Sequence, residues 1–356
     1  MAVSTREGTV KRPTIADIAG RAGVTKAAVS FALNDQPGVS AATRARILAI
    51  ASELGFQPSS AARALSDGRA GAFGLVIDRP ALTLGAEPYF MQLISGIQAE
   101  LSRDHVALLF TMAEDQAAEI ELYRTWWAQR RVDGVFVVDL QLRDRRVAAL
   151  RSLKMPAVVF GSPRGSGPLP AVWQDDDAAV RTVIDYLAGL GHRRVARVAG
   201  TPRYWHTKLR TDALAKVAAS AGLEACSVES DYTGERGADA TKKLLLSPQR
   251  PTAILYDNDL MALAGLTTAR QMGVDVPGEL SVIAWDDSAL CELVHPSLTA
   301  LHRNIPAIGA EGARRLVMLA DGEEPGHVQE PPAALVERGS TSKAPSMDAA
   351  SPSFKP

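Results

Sequence analysis

From residue 72 onward, strand-length apolar runs alternate with stretches of helical periodicity, and this alternation limits the available folds more than any other feature. "AFGLVID" (72–78), "VALLF" (106–110), "GVFVVD" (134–139), "AVVF" (157–160), "RVARVAG" (194–200), "AILYD" (253–257) and "SVIAWDD" (281–287) read as short buried strands. Helical stretches separate most of them, at 90–103, 116–130, 177–190, 207–221, 236–246, 259–272 and 305–320. Apolar strands separated by helices imply parallel sheets with helices on both faces. Roughly 270 residues of this pattern exceed one ordinary core. Two α/β lobes are therefore expected.

The preceding segment has a different texture. After a polar arm (1–12), three short helical patterns follow. Thr14 can cap the first, with Asp17 in capping-box position, and Ile15, Ile18, Ala19 and Ala22 recur at i, i+3, i+4, i+7. Gly23 supplies a tight turn. Thr25 can cap a second helix over 26–33, which "NDQPGVS" ends. Ser40 then caps a third, whose apolar face reads as Ile47, Leu48, Ala51 and Leu54. Two short helices joined by a glycine turn, with a third behind them, form a helix-turn-helix.

The second helix lies in "VTKAAVSFALN" (24–34), a stretch of small residues with one charge. In such a motif its N-terminal residues meet base edges in the major groove. Ala27 and Ala28 would let the backbone approach DNA, while Val29 and Leu33 face the core. Lys26 can donate to guanine O6/N7 or to phosphate, and the Thr25 and Ser30 hydroxyls suit phosphate or base edges. An ordinary three-helix domain with a solvated Lys26 fits the same periodicity.

Charge distribution favours the DNA reading. The chain has a formal net charge of −1, but residues 1–68 carry eight Lys/Arg against five Asp/Glu, a net of +3, leaving −4 for the rest. Two cysteines, Cys226 and Cys291, make no disulfide framework or CxxC pair, and each reads as a buried reduced thiol. The sequence shows no apolar signal segment and no run long enough to span a membrane, so a cytoplasmic, nucleoid-associated protein is expected. Phosphate-cradling GxxxxGK[ST], GxGxxG, GxSxG and HExxH motifs are missing, and the six histidines lack ligand spacing. No catalytic residue, metal or cofactor is expected. His192, in "LGHRRVA", reads as a turn residue of the fold.

"PTIADIAGRAGVTKAAVSFALNDQPGVSAATRARILAIASELGFQPSSAARALSDGR" resembles the N-terminal headpiece of the lactose/galactose-repressor family of bacterial transcription regulators. T-I-x-D-I-A, A-G-V, V-S, L-N, V-S-x-x-T-R, L-G-F-x-P and A-R-x-L stand in order. "EPYFMQLISGIQAEL", "RVDGVFVV", "LAGLGHRRVARVAG", "DNDLMALAGLTTARQMGVDVPGELSVIAWDDS" and "PSLTAL" extend the resemblance to about residues 13–340. The family's architecture then implies a small all-α headpiece (1–57), a hinge helix or linker (58–71) and a two-lobed, periplasmic-binding-protein-like effector and dimerisation domain with parallel sheets (72–340). Its N-lobe would take 72–171 and 302–322, and its C-lobe 172–301 and 323–340. The Ser/Pro-rich tail, 341–356, is expected to be disordered.

The resemblance also assigns residues. Lys26 and Ala27 hold the two positions that mostly set operator preference, with Thr14, Thr25, Ala28, Ser30, Asn34, Ser40 and Thr43 at further base or phosphate contacts. Phe31 departs from the pattern, because the family often has an arginine there; this shifts base reading toward Lys26 and thymine methyls. The weak helical stretch at 59–66 resembles the family's hinge helix, in which Leu65 would wedge into the minor groove, with Ser59 and Ala62 beside it. A plain linker with Leu65 packed on the body is the alternative. For the effector, the resemblance implies Arg210 and Asp286, with Asn258 and the aromatics Tyr89, Phe90 and Trp173. Trp173 and Trp205 fit either a sugar-stacking or a core role, and Asp286 and Asp287 also fit loop capping. Gly161 stands where relatives carry a cleft carboxylate. The implied protein is a repressor that binds double-stranded palindromic operator DNA as a homodimer or higher oligomer and responds to a small effector, a sugar or related metabolite. Both ligand-released and ligand-promoted DNA binding fit. A secreted sugar-binding protein of like architecture is the rival reading, and the headpiece argues against it.

Overall fold

The computed structural model describes residues 13–56, 68–79 and 81–345 of the 356-residue chain. They fall into two compact units that meet in sequence at Ala70 and Gly71. The expected hinge helix, with Ser59, Ala62 and Leu65, lies outside the described residues, as does 346–356 of the expected tail.

The first unit comprises α1 (Ile15–Ala22), α2 (Lys26–Leu33) and α3 (Ala41–Glu53). Each helix starts where its cap side chain can satisfy a free backbone donor. Thr14 accepts from the Asp17 N–H while Asp17 accepts from the Thr14 N–H, at 2.8 Å, closing a reciprocal box. Thr25 accepts from the Ala28 N–H (3.2 Å) and Ser40 from the Thr43 N–H (3.3 Å). Gly23 ends α1 in the left-handed region, φ 64°, the conformation that glycine tolerates without penalty. Ile18, Ala19, Ala22, Val29, Ala32, Ile47 and Ala51 form the core, with Leu33 and Leu54 packed partly against it. The expected face of α3 needs one correction: Leu48 is 46% exposed. Ile47, Ala51 and Leu54 follow i, i+4, i+7 spacing, and Leu48 sits about 100° further round the helix.

The second unit holds two six-stranded sheets. Its strands are β1 (Ala72–Ile77), β2 (Ala107–Met112), β3 (Val135–Val137), β4 (Ala157–Phe160), β5 (Ala171–Trp173), β6 (Arg194–Ala199), β7 (Glu224–Glu229), β8 (Ala253–Tyr256), β9 (Ser281–Ala284), β10 (Thr299–His302), β11 (Val328–Gln329) and β12 (Ala334–Val336). The N-lobe sheet runs β11-β5-β4-β3-β1-β2 and the C-lobe sheet β12-β10-β9-β8-β6-β7. All pairings are parallel except β10 with β12. The helices are α4 (Ala81–Ala86), α5 (Pro88–Leu101), α6 (Gln116–Ala128), α7 (Arg145–Leu153), α8 (Asp176–Gly189), α9 (Trp205–Ala221), α10 (Gly234–Leu245), α11 (Asp259–Gln271), α12 (Ala289–Leu293) and α13 (Ile305–Ala320). Strand side chains alternate between two cores in each lobe, as a pleated sheet covered on both faces requires. Phe73, Leu75 and Ile77 of β1 enter one N-lobe core and Val76 the other; Val195 and Val198 of β6 divide likewise.

The chain crosses between lobes three times, from β5 to α8, from β10 to α13 and from β11 to β12. Val328 and Gln329 pair with Val172 and Trp173, so these residues belong to the N-lobe rather than to the C-lobe as expected. The ordered chain also continues beyond 340. Ser342 accepts from and donates to the C-lobe around Ser281 and Pro277, and the Ala344 N–H donates to the Leu190 carbonyl (2.9 Å). These bonds hold residues that composition alone assigns to a disordered tail. His192 is structural, with Nδ1 against Thr252 Oγ1 (2.8 Å) and Nε2 facing the Ser342 carbonyl (3.2 Å). Cys291 is buried, but Cys226, on edge strand β7, is exposed, contrary to expectation.

Candidate functional site

Parallel α/β sheets gather loops at the carboxyl ends of their strands. Here both lobes turn those ends toward one cavity of about 100 Å³. Arg79 follows β1, Asp139 follows β3, Tyr232 follows β7, Asp257 follows β8 and Asp286 follows β9. Helices α5, α8, α9 and α13 add Tyr89 and Phe90, Asp176, His206 and Arg210, and Ile308.

The lining is charged but internally matched. Arg79 Nε donates to Asp139 (2.7 Å), Arg210 Nε to Asp176 (2.9 Å), and Arg303 to Asp286. Behind them Arg197 forks onto both oxygens of Asp257, each at 2.6 Å, and the Gly200 N–H donates to the same carboxylate. Burial alone would raise the Asp257 and Asp139 carboxyls, but the adjacent guanidiniums overcome it and hold both below the usual range. His206 is pushed down to about 3 by burial and by Arg210, so its ring is neutral and meets the Tyr232 hydroxyl at 2.5 Å. Glu87 is pushed up to about 7 by burial. Its Oε2 has no hydrogen-bond partner among the described residues, and neither do Gln174 Oε1 and Arg303 Nε. Unsatisfied buried polar atoms at a cavity wall are groups that a bound molecule can complete. The Arg210 guanidinium lies 3.9 Å from the Trp285 ring centre, which fixes its plane.

Of the effector residues expected, Tyr89, Phe90, Trp173, Arg210 and Asp286 all line the cavity, as does Gly161. Asn258 does not. It caps α11, accepting from the Met261 N–H, and donates to the Tyr232 carbonyl (3.0 Å) and toward Glu87 (3.4 Å). A side chain whose oxygen and amide are committed to the backbone acts behind the wall. Trp205 is likewise absent from the lining and packs into an N-lobe core beside Gly165. Asp287 pairs with Arg338 (2.7 Å). Sequence reasoning missed Arg79, Glu87, Asp139, Asp176, His206, Tyr232 and Arg303. Among the described residues no cluster of His, Cys, Asp and Glu is arranged to hold a metal.

In the three-helix unit, Lys26, Ala27 and Phe31 are exposed on α2, as is its cap Thr25, and Ala28 and Ser30 are half-buried. Asn34 ends that helix; Thr14 and Ser40 are exposed caps, and Thr43 is half-buried. The first turn of α2 carries no acid, so its free amides and Lys26 together favour an anion. Phe31, 39% exposed, has its ring against Gly38 of the following turn.

A three-helix unit with an exposed, positively charged helix start, attached to a two-lobed α/β unit with a polar cleft, has the architecture of a DNA-binding transcription regulator. Comparison with known proteins agrees. Residues 14–59 match the family "bacterial regulatory proteins, lacI family", and residues 184–341 match a periplasmic binding protein-like domain. The HTH-type transcriptional regulator MalR of Streptomyces coelicolor is 32% identical over 346 residues, covering 93% of this chain and 97% of that protein. The lac repressor dimer bound to operator and the anti-inducer ONPF is similar at a TM-score of 0.82 and 25% identity, covering 93% of this chain and all of that one. A CelR–cellobiose complex is similar at a TM-score of 0.71 and 28% identity, over 92% of this chain and all of that one. The chain belongs to the lacI family of bacterial transcription regulators, and its relatives are regulators rather than enzymes. No helix among the described residues is long and apolar enough to cross a membrane.

Proposed function

We propose that this chain is a cytoplasmic, nucleoid-associated repressor that binds a palindromic operator as a dimer, with affinity set by a neutral polyhydroxylated effector, a sugar, in the interlobe cavity. One observation carries the choice of ligand: each lining guanidinium is already matched by a carboxylate, which leaves no excess positive charge for a phosphorylated ligand. Matched pairs offer donors and acceptors together, the array that vicinal hydroxyls complete. The similarity to a regulator solved with cellobiose supports the same class. On the DNA side, α2 enters the major groove, where Lys26 is the principal hydrogen-bonding reader and Thr14, Thr25, Ala27, Ala28, Ser30, Asn34, Ser40 and Thr43 position it. Leu65, by resemblance, wedges the minor groove.

Selection from random DNA with the full-length chain, followed by gel shifts, tests the reading: a palindromic site should be enriched. Lys26→Ala should then lose about 1–3 kcal/mol at its half-site and relax base choice there. A thermal-shift panel of neutral sugars, sugar phosphates and nucleobases should stabilise the protein with a neutral sugar alone. Absence of any enriched site, or stabilisation only by phosphorylated compounds, would overturn the proposal.

A further inference from the structure

All three lobe crossovers leave from strands β5, β10 and β11, at one side of the two sheets. A cleft hinged there opens at the other side, where β1, β3, β6 and β7 end. Side chains at those ends cross between the lobes in both directions. Arg79 of the N-lobe reaches into a ring of C-lobe aromatics, with its guanidinium 4.3 Å from the Tyr232 ring centre and 5.1 Å from that of Tyr204. Arg203 of the C-lobe reaches back to Asp78, at 3.3 Å, and donates to the Tyr204 hydroxyl at 3.0 Å. Beside them the backbones join directly. The Leu142 N–H donates to the Arg203 carbonyl and the Trp205 N–H to the Leu140 carbonyl, both at 2.9 Å, around an antiparallel bridge between Gln141 and Tyr204.

We infer that these crossed arginines and the backbone bridge form a clasp at the mouth of the cleft, with Arg79 as its central element. The N-lobe half is braced from within. Buried Arg146 donates to both oxygens of Glu119 and to the Asp139 carbonyl, and the Gln141 N–H donates to Asp144, so the 139–142 turn is held in shape before it meets the C-lobe. Asp139 keeps Arg79 charged and aimed while its own backbone takes φ 50°, a conformation stabilised by that bracing. Arg79 is also cavity wall, so a ligand inside is enclosed by the clasp, and clasp opening sets the rate of its escape. Lobe closure is thereby a property written partly into the chain's own side chains, alongside whatever contacts a ligand adds.

The test needs no ligand and no DNA, so it succeeds or fails independently of the proposed function. Amide hydrogen exchange is followed in the full-length chain at Leu142 and Trp205, with sheet amides such as Val137 and Val198 as internal controls. The double variant Arg79→Met/Asp139→Asn removes the guanidinium and neutralises the carboxylate hydrogen-bonded to it. It should speed exchange at Leu142 and Trp205 about tenfold or more, with the sheet amides unchanged. Arg203→Ala, at a half-exposed side chain that cannot unfold the lobes, should produce a smaller increase at the same two amides. Unchanged exchange at Leu142 and Trp205 in the double variant would overturn the inference. So would an equal rise throughout both sheets, or a larger effect from Arg203→Ala than from the double variant.

Discussion

Among the described residues, the seven buried side chains that hold the three-helix unit together are all aliphatic, and four of them are alanines, whereas the two-lobed unit buries Arg79, Arg146, Arg197 and Arg210, each paired with a carboxylate. A unit of three short helices has no interior deep enough to remove a guanidinium from water. Its order rests on Ile18, Val29 and Ile47 and on three capped helix starts. The larger unit has interior to spare, and it places ion pairs at the loops that shape the cavity. Such pairs add little net stability, because desolvation offsets the attraction, but removing one partner leaves the other exposed to the full penalty. The difference teaches where each unit is fragile: the small one at its caps and its few branched side chains, the large one at any half of a buried pair.

The sharpest way to break that contrast is Arg146→Met, which strands Glu119 and Asp144 in the interior. It should cost about 3–5 kcal/mol in urea unfolding of the two-lobed unit. A midpoint like the parent's would mean that water reaches those carboxylates. Next comes a pH effect. Burial pushes Glu87 up to about 7 from an ordinary 4.5, so the folded state holds its proton more tightly than the unfolded chain. That contribution is fully present below pH 4.5 and is lost as pH rises through 7, amounting to at most about 3 kcal/mol. Glu87→Gln should flatten the decline of the unfolding midpoint across this window; coincident slopes would show that Glu87 does not titrate there. In the small unit, Ser40→Ala should lose about 1 kcal/mol by freeing the Thr43 amide, read from its thermal transition. Leu48→Ala should change the same transition by less than about 0.5 kcal/mol, since that side chain is nearly half exposed. A loss as large as a core truncation would place Leu48 in the interior after all.

Legibility followed the range of the interactions. Caps, glycine turns and the start of α2 were readable because each is local to a few residues. The central parallel strands were readable because burial on both faces makes them apolar throughout. Strand β7, "EACSVE", was missed because it lies at a sheet edge and is mostly exposed, and β5, β10, β11 and β12 because they are the two outermost strands on the other side of each sheet, short and outside any longer apolar run. Helix α7 was missed because its buried face includes an arginine, Arg146, where an apolar residue would be read. In the cavity, the residues named in advance came through the resemblance, while Arg79, Asp176 and Tyr232 meet their partners only across the fold. Arg197 stands in the middle of the apolar run "RVARVAG", and a charge there demands a buried acid. Asp257 supplies it, directly after β8, the strand paired beside β6.

The stretch 340–344 has a practical meaning for anyone shortening this chain. Ser340 Oγ donates to the Val282 carbonyl (2.6 Å) and accepts from the Thr299 N–H (2.8 Å), while Thr341 contacts Tyr186 and Thr299 through its hydroxyl. Residues 340–344 thus act as a seam sewn along β9 and β10, closing amides that sheet pairing leaves open. A stop codon before Ser340 would unpick that seam and expose the C-lobe to proteases.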